Sequence, residues 1–145
     1  LINNKKNLTV TDKRMTRFSI TLDEASDFVI NCIKKMKGKE VFIPKIPSYD
    51  LNTLVKSINP NKKVKIIGIR TGEKLHEELI SAADFGNTLE NKDSFIIYPM
   101  GINNKKKFDL KIDLKKSYNS YDNRDFLSIK NLKKIIKSQL KNFNK

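Results

Sequence analysis

Apolar positions change period several times along the first hundred residues. From Asn7 to Asp12, NLTVTD alternates polar and branched apolar residues, the two-residue period of a short strand. The period then lengthens. Leu22, Ala25, Phe28, Val29, Cys32, Ile33 and Met36 recur three and four residues apart, which predicts a helix with one apolar stripe. Thr21 followed three residues later by Glu24 fits a capping box, and Asp23 adds an acid where the helix dipole favours one. Gly38 is the expected left-handed cap. EVFIPKIPS, residues 40–48, reads as a strand that Pro44 and Pro47 turn into an extended segment. Ser48 is then the expected cap of a short helix carrying Leu51, Leu54, Val55 and Ile58, with Pro60 beyond it. KVKIIGI, residues 63–69, is the next strand. The spacing of Leu75, Leu79 and Ile80 predicts a helix from Glu73 to about Ser81, and SFIIYP, residues 94–99, a last strand. Strand and helix alternate, which is the α/β class.

Beyond residue 100 the pattern breaks. Residues 101–124 are polar, lysine-rich and without period, a linker or a loop in need of a partner surface. Ile129, Leu132, Ile135, Ile136, Leu140 and Phe143 then mark an amphipathic C-terminal helix within residues 125–145, opened by Ser128. The expected organisation is therefore a lobe over residues 1–100, a connection over 101–124 and a helix over 125–145.

Composition changes this picture in two respects. The 145 residues carry a net charge of +14, with 26 Lys against 4 Arg. Residues 101–145 alone contribute +9 of that charge. Ile, Lys and Asn together make up 60 residues, so the lysines read as a chain-wide bias of solvated side chains, with a polyanion surface as the alternative. A single cysteine, Cys32, forms no internal disulfide and sits on the first helix's stripe, where it is expected as a buried structural thiol. The cytoplasm is the expected compartment, since no apolar run reaches the ~18 residues of a membrane span and no signal segment opens the chain. The first residue is Leu1, so the chain reads as a possible fragment.

One stretch concentrates chemistry: GIRTGEKLHEEL, residues 68–79. It holds three of the six glutamates, the only histidine, His76, and Arg70. HEELI opens like a zinc-protease helix, but the second ligand position is Ile80, so no zinc site results. His76 is expected as a partly buried helix residue hydrogen-bonded to a neighbour. The glycine spacing fits neither a P-loop nor a dinucleotide fingerprint, and no Tyr-x-x-x-Lys pair occurs. What remains is Arg70, leaving a strand into a turn at Gly72 just before an expected helix N-terminus at Glu73. A guanidinium, free N–H groups and a helix dipole would converge there on a diphosphate or sugar. An internal Arg70–Glu73 ion pair that staples the turn is the competing reading.

TDKRMTRFSITLDEASDFV, EVFIPKIPS and IGIRTGEKLHEELI, in this order, resemble the C-terminal part of the inverting UDP-N-acetylglucosamine 4,6-dehydratases. These are pseudaminic-acid pathway members of the extended short-chain dehydrogenase/reductase superfamily. YNSYDNRDFLSIKNLKKII resembles that family's C-terminal stretch and helix, so the likeness spans nearly the whole chain. The resemblance implies the substrate-binding part of an NAD(P)-binding Rossmann fold, incomplete as given. It implies a missing N-terminal domain that holds NADP and the acid/base residues. The chemistry would be oxidation at C4, loss of water across C5–C6 and return of hydride to C6 with inversion at C5. It further implies UDP-N-acetylglucosamine as the partner and a homo-oligomer in full-length form, without membrane or nucleic acid.

Carried over by position, Arg70 and Glu73 match the residues that hold the nucleotide's phosphate and ribose. The strand beginning near Asn7 matches the one lying against the uracil, and Lys65 falls near another substrate contact. Arg17 would reach the diphosphate or instead pair with a helix carboxylate. Thr11 to Lys13 mimics the family's Thr-Asp-Lys triplet but continues into RMTRF, so neither Asp12 nor Lys13 is assigned catalysis. Thr71 stands where the family usually has Pro, Ser19 where Trp is common and Lys39 where a second Gly is usual. The alternative of another class is a basic module whose tail from Lys105 to Lys145 binds nucleic acid or another polyanion.

Overall fold

A computed structural model describes residues 8–61, 63–99 and 117–143 of the chain. Its elements run β1 (Leu8–Val10), β2 (Thr16–Phe18), α1 (Leu22–Lys35), β3 (Val41–Pro44), β4 (Ser48–Asp50) and α2 (Leu51–Ile58). They continue with β5 (Val64–Ile66), β6 (Glu78–Ile80), α3 (Ala82–Phe85), β7 (Thr88–Glu90), β8 (Ser94–Ile97), β9 (Tyr118–Asn119) and α4 (Ile129–Phe143). This mixture of helices with parallel and antiparallel strands is the α/β class expected. The chain divides into two compact units, one of Leu1–Ser19, Pro47–Glu77 and Ser120–Lys145, the other of Ile20–Ile46 and Glu78–Asn119.

In the first unit β1 pairs in parallel with β5, Leu8 opposite Val64. Leu8 and Val10 are buried while Thr9 between them is exposed, as a two-residue period requires. Both pack on Val55 of α2, flanked by Leu51 and Ile58. α2 is capped by Asp50, whose Oδ1 accepts the Thr53 N–H at 2.7 Å. Ser48 is therefore not the cap. It is fully buried in β4, where its Oγ accepts from Asn123 Nδ2 at 2.9 Å and its N–H reaches the Asp125 carbonyl at 2.8 Å. Asp50, the last residue of β4, immediately precedes the helix, whereas Ser48 lies two residues farther back with its hydroxyl taken up by Asn123. α4 packs against α2, buries Leu132 and is opened by Ser128 as expected, its Oγ accepting the Asn131 N–H at 3.2 Å.

In the second unit α1 carries the expected capping box, Thr21 and Glu24 each bonding the other's backbone. Its end differs from expectation. The helix stops at Lys35 with Met36 extended at φ −65°, and Gly38 at φ +119° lies beyond the cap. Lys39 itself takes φ +69°, in the left-handed region where the resemblance has a second glycine. The apolar stripe is present but only partly covered among the described residues, with Ala25 and Phe28 half-buried. Leu22 is 77% exposed and Ile33 62%. Cys32 is half-buried rather than buried, and burial pushes its thiol pKa up, which keeps it an inert thiol. β8 is the centre of an antiparallel sheet between β3 and β7, with Pro44 opposite Ser94 at its margin.

The largest departure lies at residues 73–81, where no helix forms. Glu78–Ile80 is instead strand β6, antiparallel to β9. Ile80 is buried at 1% exposure and Leu79 beside it is 37% exposed, with a register irregularity between Glu78 and Ile80. Tertiary pairing has overridden the helix propensity of the local sequence.

Candidate functional site

Arg70 to Glu73 forms a tight turn. The Glu73 N–H donates to the Arg70 carbonyl at 3.0 Å, and the Arg70 N–H donates to Glu73 Oε2 at 3.1 Å. Gly72 sits at φ +85°, while Thr71 before it is not in the positive region, which makes this a type II turn with glycine at the third position. The sequence R-T-G-E specifies that geometry, because a side chain at the third position would strain the backbone. The Arg70–Glu73 ion pair of the competing reading does not form. Glu73 uses its carboxylate on the Arg70 backbone, and the Arg70 guanidinium has no ion pair among the described residues. Nor does a helix dipole stand behind the turn, because the chain runs on through coil into β6.

The segment after the turn is pinned. Arg17 donates from Nη1 to the Leu75 carbonyl at 3.2 Å and from Nη2 to the Lys74 carbonyl at 3.1 Å. Its Nε lies 3.5 Å from Glu77 Oε1, an ion pair with a loop carboxylate in place of a helical one. Thr16 N–H reaches the Leu75 carbonyl at 3.1 Å. From the other side, the Ser120 N–H donates to the Glu77 carbonyl at 2.8 Å, and the Glu77 N–H donates to Ser120 Oγ at 2.9 Å. His76 Nδ1 is 2.8 Å from Thr16 Oγ1, which is itself 2.7 Å from Ser120 Oγ. The Tyr121 ring lies 4.6 Å from the imidazole, centroid to centroid. His76 is thus partly buried and bonded to a neighbour as expected, though in a loop.

Of the residues singled out from sequence, Arg70 and Glu73 are brought together and Arg17 holds the segment beside them. Lys65 is exposed on β5 opposite Thr9, and no contact among the described residues links it to the turn. Asn7 lies outside the described residues, as do residues 101–116 of the lysine-rich connection. Asp12 is engaged by Arg14 in a two-pronged pair, with Nη2 to Oδ2 at 2.7 Å and Nε to Oδ1 at 3.0 Å. Those hydrogen bonds hold its carboxyl at about 2, below the usual 3.8, which suits a turn staple and no acid/base role. The sequence pattern does not point to Thr16, Ser120 and Tyr121, because they meet around His76 only through contacts across 45 to 104 residues. Among the described residues no three His, Cys, Asp or Glu side chains could hold a metal ion, and no helix is long and apolar enough to cross a membrane.

Residues 1–99 match the polysaccharide biosynthesis protein family. The chain belongs to that family. Among its relatives, a UDP-N-acetylglucosamine 4,6-dehydratase (inverting) of Campylobacter jejuni is 48% identical over 94 residues. That match covers 65% of this chain and 28% of the relative. A membrane protein of Methanocaldococcus jannaschii, itself uncharacterized, is 36% identical over 141 residues, 90% of this chain and 40% of the relative. The X-ray structure of Pen from Bacillus thuringiensis superposes with a TM-score of 0.74 at 32% identity, over 95% of this chain and 42% of that one. The family and this fold likeness agree with a part of an extended short-chain dehydrogenase/reductase fold. The chain spans less than half the length of each of these proteins.

Proposed function

We propose that this chain is the substrate-binding part of a C5-inverting UDP-N-acetylglucosamine 4,6-dehydratase that works in nucleotide-sugar supply for a surface polysaccharide or a pseudaminic-acid-type glycan. The observation that carries the reading is the 48% identity to a dehydratase of that name. Two features of the structure support it. The Arg70 guanidinium is exposed, unpaired among the described residues, and presented by a rigid glycine turn, as a phosphate contact needs. Glu73 keeps one carboxylate oxygen outside the turn's hydrogen bonds to accept from a ribose hydroxyl. Asn7 and Lys65 are further proposed contacts. Arg17 acts through the segment it clamps.

NADP is the proposed cofactor of the whole enzyme, supplying and recovering the hydride. The residues present here do not fit it. Gly68 and Gly72 both have positive φ, but the chain after them enters coil and β6, so no helix N-terminus backs a pyrophosphate. Cofactor and acid/base groups would lie in other parts of a longer protein, a cytoplasmic homo-oligomer on this reading. The exposed apolar side chains of α1 and of residues 64–69 are in keeping with a lobe that has further surface to cover.

The test is UDP binding by calorimetry and turnover of UDP-N-acetylglucosamine by the longer protein, native and Arg70→Ala. Loss of a charged two-pronged contact weakens UDP by about tenfold to a hundredfold. The thermal midpoint stays put, because the side chain forms no ion pair or hydrogen bond among the described residues. Equal affinity in the two proteins would sink the assignment.

A further inference from the structure

We propose that Thr16, Ser120 and His76 form a hydrogen-bond chain of fixed direction that positions the Arg70–Glu73 turn, with His76 held as its Nε2–H tautomer. The proposal rests on the reading of that turn as a UDP contact. The direction follows from counting hydrogens at buried atoms. Ser120 is fully buried and Thr16 is 4% exposed, so neither hydroxyl has water to fall back on. Ser120 Oγ already accepts the Glu77 N–H at 2.9 Å. Its own hydrogen has Thr16 Oγ1, at 2.7 Å, as its acceptor among the described residues. Thr16 therefore sends its hydrogen to His76 Nδ1 at 2.8 Å, and the ring proton stands on Nε2. The reverse order, with Nδ1–H donating to Thr16 and Thr16 to Ser120, leaves the Ser120 hydrogen buried without an acceptor. Such an arrangement is disfavoured in a dry site.

The chain joins three segments far apart in sequence: β2 through Thr16, the loop through His76 and Glu77, and Ser120 after β9. The Arg17 guanidinium holds the carbonyls of Lys74 and Leu75 beside it. Residues 74 to 77 are thereby each held, beginning one residue after Glu73, and the turn leaves a rigid base. Tyr121 against the imidazole limits rotation of the ring. His76 on this account is a positioning residue, acting on ligand through the loop.

The experiment uses the longer protein that carries this chain, with nitrogen-15 histidine spectra at pH 8, calorimetry with UDP, and thermal melts. The native protein and Thr16→Ser, which keeps the hydroxyl, show Nδ1 unprotonated and Nε2 protonated. Thr16→Val and Ser120→Ala show mixed tautomers and bind UDP about tenfold more weakly, the range of one well-placed hydrogen bond. His76→Asn keeps an acceptor at the Nδ1 position and holds UDP within about threefold of native, while His76→Gln, which does not, binds like Thr16→Val. A native His76 protonated on Nδ1 overturns the hydrogen-bond order even if UDP binds. Thr16→Val binding UDP as tightly as Thr16→Ser overturns the positioning role. Native protein with the expected tautomer that ignores UDP overturns the ligand reading of the turn, and the positioning role with it.

Discussion

Substitutions at the two central positions of the Arg70–Glu73 turn separate backbone geometry from side-chain chemistry. Gly72 stands at φ +85° with nothing within 4 Å of where a Cβ would project. Gly72→Ala therefore meets no clash, and its whole effect is conformational strain. A left-handed backbone disfavours an L side chain by about 1–2 kcal/mol. Thr71→Pro acts in the opposite sense. Proline is favoured at the second position of a type II turn, and the Thr71 N–H makes no hydrogen bond among the described residues that proline would remove. Restricting the unfolded chain there gains about 0.4–1 kcal/mol. Urea unfolding of the two variants is expected to move the midpoint in opposite directions with unchanged slope. In the double variant the two effects partly cancel. On binding UDP, a turn that opens in Gly72→Ala must be re-formed, which weakens affinity by about five- to thirtyfold. A Gly72→Ala protein with native midpoint and native affinity refutes the reasoning, because it means that φ +85° is not required of the bound turn.

Three further outcomes follow from other sites. Lys39→Gly relieves the one positive φ held by a non-glycine residue among those described, and stabilises the fold by about 0.5–1 kcal/mol in urea titration. Asp12, held at about 2 by Arg14, contributes stability above its ordinary 3.8 and loses it as pH falls towards 2. Carboxyl carbon-13 titration should find the native midpoint near 2, and Arg14→Gln should return it to the ordinary carboxylate range. Ile80→Ala removes a side chain only 1% exposed and lowers stability by about 2–5 kcal/mol, while Leu22→Ala, 77% exposed, changes it by less than about 0.5 kcal/mol in this chain.

Local signals were legible wherever the neighbouring residues decide the structure. The Thr21–Glu24 box, the alternation at Leu8 and Val10, the stripe of α2 and the Ser128 opening of α4 need only residues within a few positions. The turn at Gly72 belongs with them, because glycine is the local answer to a positive φ. The failures share a different cause. KLHEELI has helical propensity and an apolar pair at Leu75 and Leu79, yet pairing with Tyr118 and Asn119 makes its end a strand. Ser120 lies in a stretch that reads as polar loop and is fully buried, because its partner Thr16 lies 104 residues away. The stripe of α1 was visible and its burial was not, since a moment says which face is apolar and nothing of what covers it.

GIRTGEKLHEEL now divides at Glu73 into a part that presents and a part that holds. Before the division, residues 68–73 are exposed, and their side chains are committed to little beyond the turn's own hydrogen bonds. After it, the carbonyls of Lys74 and Leu75, the imidazole of His76 and both backbone groups of Glu77 are each taken up by β2 or Ser120. A ligand contact needs its guanidinium unspent, and unspent side chains on a glycine turn are mobile unless something nearby is rigid. Hydrogen bonds from Thr16, Arg17 and Ser120 to the backbone supply that rigidity without consuming Arg70. His76 and Glu77 are the fixed ground on which Arg70 and Glu73 are displayed.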